Sequence, residues 1–274
     1  MVQVSTALTI AGTDPSGGAG IHADLKTFQE LKSYGMSVIT SVVAQNTTGV
    51  QSIQHMPLDM IDQQLESVIS DIPVHAFKTG MIANKDMMEI VYHRIKKLDA
   101  PYVMDPVMVA TSGDSLINED SRLYLRDRLL PLTALVTPNI PEAEYLTGEK
   151  IETVEEMKLA AEELVTKYGA KAALVKGGHL EGEAIDFLYD GDRMYSFSTE
   201  RIHTTNTHGT GCTYSAAITA YLGQGLPLVQ AVEKAKRFVT AAIRYSFPLG
   251  QGHGPTNHWA IREEPDVHIN MKEE

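Results

Sequence analysis

Two spacings of apolar residues alternate along this chain. Thr6-Ala7-Leu8-Thr9-Ile10-Ala11 is a short apolar run that stops at Gly12. Ile21, Leu25, Phe28 and Leu31 then recur at helical spacing, and that helix ends near Gly35. Residues 38–43 are rich in β-branched side chains and predict a strand buried on both faces. Ile61, Leu65, Val68 and Ile69 mark another helix. Short strands follow at Ala76-Phe77-Lys78, Tyr102-Val103-Met104, Ala134-Leu135-Val136 and Ala172-Ala173-Leu174-Val175. Ahead of the last of these, Thr153 with Glu156 fits a capping box that starts a helix. Residues 186–198 read as a hairpin turning at Asp190-Gly191-Asp192, and helices over 213–222 and 228–245 complete the pattern.

Alternating β and α units with apolar strands predict an α/β fold around a central, mainly parallel sheet. No repeat or linker divides the chain, so residues 1–274 are expected to form one domain, with 260–274 a loose polar tail. Ligands of such sheets bind beyond the carboxyl ends of the strands. The chemistry is therefore expected just after each strand.

Composition narrows the classes. The single cysteine, Cys212, excludes an internal disulfide and any Cys-rich zinc site. The start, Met1-Val2-Gln3-Val4, lacks the basic and long apolar stretches of a signal peptide. No run reaches the roughly 20 apolar residues that span a bilayer. A soluble cytoplasmic protein without membrane partners is the expectation. A formal net charge of −12 argues against nonspecific nucleic-acid binding. An anionic substrate then has to be met locally, by backbone N–H groups, a lysine or a metal.

The strand ends carry such groups. The segment from Gly12 through Thr13-Asp14-Pro15-Ser16-Gly17-Gly18-Ala19 to Gly20 is a glycine-dense loop suited to close approach of a small substrate. It lacks the Lys-Ser/Thr of a phosphate-binding P-loop. Its fingerprint-like spacing lacks the later acidic residue of a dinucleotide site. Ala44-Gln45-Asn46-Thr47-Thr48 follows the next strand; Gln45 both donates and accepts, which suits an amino group beside a ring nitrogen, although an Asx-type turn accounts for the stretch equally well. Met81, in Lys78-Thr79-Gly80-Met81, either packs on a flat ring or fills the core. Asp105 either caps a turn or faces a magnesium ion or a lysine. Asn139 and Glu142 either share a magnesium ion or cap a helix together. Lys176-Gly177-Gly178-His179 suits a phosphate. Thr207-His208-Gly209-Thr210-Gly211-Cys212-Thr213 opens a helix, whose N-terminus favours anions and is expected to lower the thiol pKa below about 8.5.

In these segments, taken with Ala7 to Ala11, Ala23-Asp24-Leu25-Lys26-Thr27-Phe28 and Asp105-Pro106-Val107-Met108, the sequence closely resembles the hydroxymethylpyrimidine and phosphomethylpyrimidine kinases of thiamine biosynthesis, within the ribokinase-like superfamily. The resemblance runs from Ala7 to about His258. It implies a three-layer α/β/α fold, commonly a homodimer. It implies ATP- and magnesium-dependent phosphorylation of 4-amino-5-hydroxymethyl-2-methylpyrimidine and then of its monophosphate. By position, Gln45 would bind the amino edge of the pyrimidine, with Gly12, Ala19, Val43, Met81 and Val107 around it. Gly209 and Gly211 would form the anion hole, and Lys176, Asn139 and Thr210 would face the nucleotide. Asp105, Asn139 and Glu142 would organise magnesium. Cys212 stands where sugar kinases of the superfamily carry an aspartate, and is assigned as general base.

The nearest alternative is a pyridoxal kinase, or a kinase of both substrates. Relatives specific for vitamin B6 tend to carry methionine in place of Gln45. A thiol hydrolase with His208 as the base for Cys212, and a non-catalytic ligand sensor, are the readings from other classes.

Overall fold

The computed structural model describes residues 4–108, 117–178, 182–263 and 266–274. Its frame is a nine-stranded sheet made of β1 (Thr6–Ala11), β2 (Tyr34–Ile39), β5 (Ala76–Thr79), β6 (Tyr102–Met104), β7 (Leu135–Val136), β8 (Ala173–Lys176), β9 (Ala184–Tyr189), β10 (Met194–Thr199) and β11 (Asn270–Glu273). Two further strands, β3 (Ser41–Asn46) and β4 (Gly49–His55), pair only with each other. The spatial order is β11-β10-β9-β8-β7-β6-β5-β1-β2. Neighbours from β2 to β8 run parallel, and the hairpin β9–β10 and β11 continue antiparallel. The chain leaves β1 toward β2 on one side and later returns to β5 on the other. That reversal opens a crevice at the carboxyl end of β1, where ligands of such sheets bind.

Helices cover both faces because strand residues alternate between them. Leu8, Ile10, Tyr102, Met104, Val136, Ala173 and Val175 point into one core. Helices α2 (Leu58–Ile69), α3 (Lys85–Ile95), α4 (Glu119–Tyr124), α5 (Ile140–Thr147) and α6 (Val154–Thr166) lie on that side or at its edge. Val103, Leu135, Leu174, Leu188 and Phe197 point the other way, toward α7 (Thr210–Gly223) and α8 (Leu228–Arg244). Helix α1 (Gly20–Glu30) joins them through Phe28, which packs with Ala7, Ala216 and Ala220. Helix α7 is buried from Thr213 to Ala220, and its Ala, Ser and Thr side chains let the sheet, α1 and α8 approach closely. The result is a three-layer α/β/α, ribokinase-like fold.

The sequence places most elements, and three points differ. Residues 38–43 are not one strand: the chain leaves the main sheet at Thr40, whose N–H still bonds Ala11 O while Met56 N bonds Thr40 O. The β-branched run spans that exit, so local composition hides the break. Strand β3 is then half-exposed in alternation rather than buried on both faces, and it pairs with β4, which carries no strong apolar pattern. Finally, 260–274 is not a loose tail: a short helix, α9 (Ala260–Glu263), precedes β11, which pairs with β10. The segment is polar because β11 is an exposed edge, not because it lacks a partner. Among the described residues, no helix is long and apolar enough to cross a membrane.

The capping box at Thr153 and Glu156 forms as expected at the start of α6, which buries Leu164 fully. The two contributions are separable in one helix. Thr153→Ala should cost about 1 kcal/mol, and Leu164→Ala about 2–5 kcal/mol, since it leaves a cavity in a closed core. Urea midpoints at constant slope measure both.

Candidate active site

The carboxyl ends of β1, β5, β6, β7 and β8, the β3–β4 hairpin and the N-terminus of α7 enclose a cavity of about 680 Å³. Every residue that sequence reasoning assigned to a site lines it: Gly12, Ala19, Val43, Gln45, Met81, Val107, Asp105, Asn139, Glu142, Lys176, Gly209, Thr210, Gly211 and Cys212. His179, part of one expected segment, lies outside the described residues.

At the α7 end the cavity is built for an anion. Gly209 is the N-cap, with φ of 80°, and its backbone packs so tightly on the first loop that a Cβ there would fall 1.6 Å from Gly18 O. No side chain fits, and beyond Thr210 N, which bonds Thr207 O, the next N–H groups of the turn lie at the positive end of the helix dipole beside the cavity. Lys176 Nζ stands over this turn, 3.5 Å from where a Gly211 Cβ would sit. Backbone pairing of Lys176 N with Pro138 O delivers the lysine there from the end of β8. Lys176 Nζ meets Asp105 Oδ1 at 3.3 Å, and Ser215 Oγ donates to Asp105 Oδ2. Burial works against the Lys176 charge, but Asp105 and Glu142 hold its ammonium form above the ordinary range.

Asn139 and Glu142 form the capping box of α5: Glu142 N donates to Asn139 Oδ1, and Asn139 N donates to Glu142 Oε2. The structure therefore shows the capping alternative. Among the described residues, no cluster of three or more His, Cys, Asp or Glu side chains is arranged as a metal cage. Burial pushes the Glu142 carboxyl up to about 7, Lys176 opposes this, and repulsion from Asp105 adds to it. Two carboxylates thus face one lysine, and a divalent cation would relieve that imbalance. The donor set fits a magnesium ion that keeps several waters and takes its remaining oxygens from phosphates.

Cys212 is half-buried at the cavity wall. The expected low thiol pKa is not found. Burial pushes the thiol up to about 12; Lys78 pulls the other way, while Asp24 and Asp105 add to the rise. Sequence reasoning weighed only the helix terminus and could not see that the sulfur lies between carboxylates away from bulk water. Lys78 is fully buried and bonds Asp24 Oδ1 at 2.7 Å, and Thr9 Oγ1 donates to Asp24 Oδ2 at 2.6 Å. This pair was quoted in the motifs without a role. A lysine ending a strand and an acid one turn inside a helix give no sign in sequence that they meet.

The other end of the cavity holds the small acceptor. Gln45 sits at a register shift between Ala44 and Gln45 in the β3–β4 pairing, which turns its amide inward. Met81 Cε lies so near Gly12 that a Cβ there would be 2.5 Å away, and Val43 flanks the same glycine. A flat ring could lie in this narrow, mainly apolar slot with its polar edge on Gln45. Beyond Lys176, Thr199 to Ile202, Val239, Thr240 and Ile243 form an additional wall that the motif reading did not reach. It belongs to a hairpin end and a helix face that carry no glycine-rich turn, and its charged pair, Glu200 and Arg201, follows an antiparallel strand rather than a parallel one.

An anion-binding helix turn, a lysine and a slot for a small ring along the carboxyl edge of a parallel sheet define a ribokinase-like phosphotransferase. The comparisons agree with that class and narrow it. The family model of phosphomethylpyrimidine kinase matches residues 14–257. The hydroxymethylpyrimidine/phosphomethylpyrimidine kinase of Staphylococcus aureus is 49% identical over 263 residues, 95% of each chain. The thiamine biosynthesis bifunctional protein ThiED of Geobacter sulfurreducens is 49% identical over 259 residues, covering 94% of this chain and 53% of that one. Among solved structures, the pyridoxal kinase of Staphylococcus aureus in complex with AMP-PCP and pyridoxal is similar, with a TM-score of 0.91 and 36% identity over 99% of this chain and 100% of that one. The chain belongs to the phosphomethylpyrimidine kinase family.

The buried Lys78–Asp24 pair yields a stability test. Lys78→Met should cost about 3–5 kcal/mol, because it strands the Asp24 carboxylate without its counter-charge, and Lys78→Met with Asp24→Leu should recover most of that loss. Thermal melts of the three proteins read the difference.

Proposed function

We propose that this protein transfers the γ-phosphoryl group of ATP to 4-amino-5-hydroxymethyl-2-methylpyrimidine and then to its monophosphate, in the biosynthesis of thiamine. The observation that carries the reading is the one cavity in which Gln45, Cys212, the Gly209–Gly211 turn and Lys176 follow one another. The close relatives named for that activity support it.

In this reading Gln45 grips the amino edge of the pyrimidine, and Gly12, Ala19, Val43, Met81 and Val107 hold its faces. The hydroxymethyl group then points to Cys212. Lys176, with Asn139 and Thr210 beside it, receives the nucleotide phosphates. The Gly209 and Gly211 N–H groups meet the charge that develops on the moving phosphoryl group. Such transfer depends mainly on positioning and electrostatics. Asp105 and Glu142 would hold a magnesium ion together with phosphate oxygens and water, and Asn139 serves that end by fixing Glu142. The ion would supply neutralising charge. Cys212 accepts the hydroxyl proton as thiolate, so the resting thiol must lose its own proton first. The base form is scarce at neutral pH when the pKa is raised to about 12, and it grows about tenfold per pH unit below that value.

Pyridoxal is the second substrate to consider, since a pyridoxal kinase matches the fold over nearly all of the chain. Gln45 favours the aminopyrimidine. The hydrolase reading gives no role to the Gly209–Gly211 turn, Lys176, Asn139 or Glu142, and the structure pairs its proposed base, His208, with Asp14 at 2.7 Å. The homodimer implied by the resemblance and the cytoplasmic location expected from composition belong to the same reading, and sedimentation velocity measures the first.

A coupled ADP-release assay with the hydroxymethylpyrimidine, its monophosphate and pyridoxal tests the assignment. Release with pyridoxal alone would overturn it. For Cys212→Ala, kcat should fall by about 100-fold or more with KM little changed. In the wild type, kcat/KM should keep climbing from about pH 8 to about pH 9.5, above the Glu142 transition near 7, and the variant should lose that part of the climb. Gln45→Met should raise the KM for the pyrimidine about tenfold or more, the worth of one good hydrogen bond to a buried polar edge, and spare pyridoxal.

A further inference from the structure

The proposed chemistry uses Cys212, Lys176 and Gln45, and leaves unexplained the hydrogen-bonded pair beside them. Asp14 and His208, 194 positions apart in sequence, meet at 2.7 Å between Oδ2 and Nε2. Asp14 is 1% exposed and His208 9%. The carboxylate also accepts from Ser16 N and Ser16 Oγ on Oδ1, and from Gly18 N and Ala19 N on Oδ2. Asp14 N donates to His22 Nδ1. Burial opposes its charge, but the bonds from His208, Ser16 and Gln45 hold the carboxyl well below the usual range. Asp14 thus gathers the whole first loop onto one charged point.

His208 is fixed on its other side. Its N–H bonds Gly254 O, and its carbonyl accepts from Thr256 N. It immediately precedes Gly209, and the two loops touch backbone to backbone there. A Cβ on Gly18 would fall 2.4 Å from His208 Cδ2, as one on Gly209 would collide with Gly18 O. The loop then runs through Ala19 to Gly20, whose backbone amide lies beside the Cys212 sulfur and works against the rise of its pKa. The charged groups around that sulfur are Lys78, Asp24 and Asp105. One hydrogen-bonded pair therefore sets the register between the substrate loop and the anion-binding turn, and the sulfur lies at their joint.

We propose that His208, acting through Asp14, is a positioning residue that fixes the Gly209–Gly211 turn and Cys212 against the first loop. His208 lines the cavity wall, but in this role it acts through Asp14 and not on the reacting atoms. Its loss leaves ground-state binding largely intact and misplaces the groups that act in the transition state, where an error near 1 Å is worth about 100-fold. The proposal rests on the reading of Cys212 as proton acceptor, and its test separates the two.

The experiment compares His208→Leu, His208→Gln, Cys212→Ala and the double variant His208→Leu/Cys212→Ala, with the hydroxymethylpyrimidine and ATP as substrates. His208→Leu should lower kcat about 10- to 100-fold, while the KM for either substrate moves less than about threefold. His208→Gln, which keeps a side-chain N–H for Asp14, should return kcat to within about fivefold of wild type. In the Cys212→Ala background, His208→Leu should cost no more than about threefold, because groups acting as one unit are not additive. Full additivity, a rise in KM at unchanged kcat, or no rescue by glutamine overturns the proposal. Should His208→Leu fail to fold, Asp14→Asn takes its place, since the amide keeps the size and an acceptor oxygen but loses the charge. If Cys212→Ala alone leaves kcat unchanged, the proton-acceptor reading fails, and the KM-against-kcat split with the glutamine rescue decides the positioning role by itself.

Discussion

The first turn of α7 begins in the middle of the molecule, and its N–H groups have no helical carbonyls to bond. A helix end buried in this way would be costly in an ordinary core. Here it is tolerable because the turn faces a cavity and because small residues let the helix lie against both the sheet and α1. The glycine-dense first loop, the position of Lys176 and the closeness of α1 to α7 all follow from seating that helix end. The fold is arranged to keep a deficit of acceptors open toward one volume of space.

The charge pattern around that volume is unusual for an acidic protein. Lys78, Lys176 and Lys236 are each paired with an aspartate from a different element: Asp24, Asp105 and Asp186. Asp186 also accepts from Gly177 N, next to Lys176, so the third pair steadies the backbone that carries the second. Each pair is nearly neutral as a unit and sits at the cavity edge. An incoming phosphate can draw on the lysines without crossing a strongly basic surface. The formal charge of −12 belongs to the exterior and says little about what the site attracts.

Much of this was legible in the sequence, for physical reasons. A parallel sheet must be buried on both faces, so Leu8, Ile10, Val103 and Leu174 announce their strands. Ligand-facing residues gather at the carboxyl ends of parallel strands, which is why Asp105 and Lys176 could be picked out before their geometry was known; Gln45 was picked out on the same ground although it lies within β3. The failures have equally definite causes. The exit at Thr40 depends on backbone partners far away in sequence, and β4 is half solvated. Strand β11 is polar because it lies at an edge. The Cys212 thiol was misjudged because its environment comes from Lys78, Asp24 and Asp105, on three separate segments. Asp14 and His208 stood inside quoted motifs, but nothing in a linear pattern says that two loops so far apart will interlock.

Strand β11 has a consequence for the molecule outside catalysis. A sheet that ended at β10 would offer the unpaired backbone of Tyr195 to Ser198 to any neighbouring chain, with Phe197 beneath it in the core. Instead the last pairing partner is a four-residue strand, exposed throughout, that carries Lys272 and Glu273. Short, charged edge strands resist further pairing. Its few residues act as a guard rail against self-association of a wide sheet, a task in which their polarity is the working property.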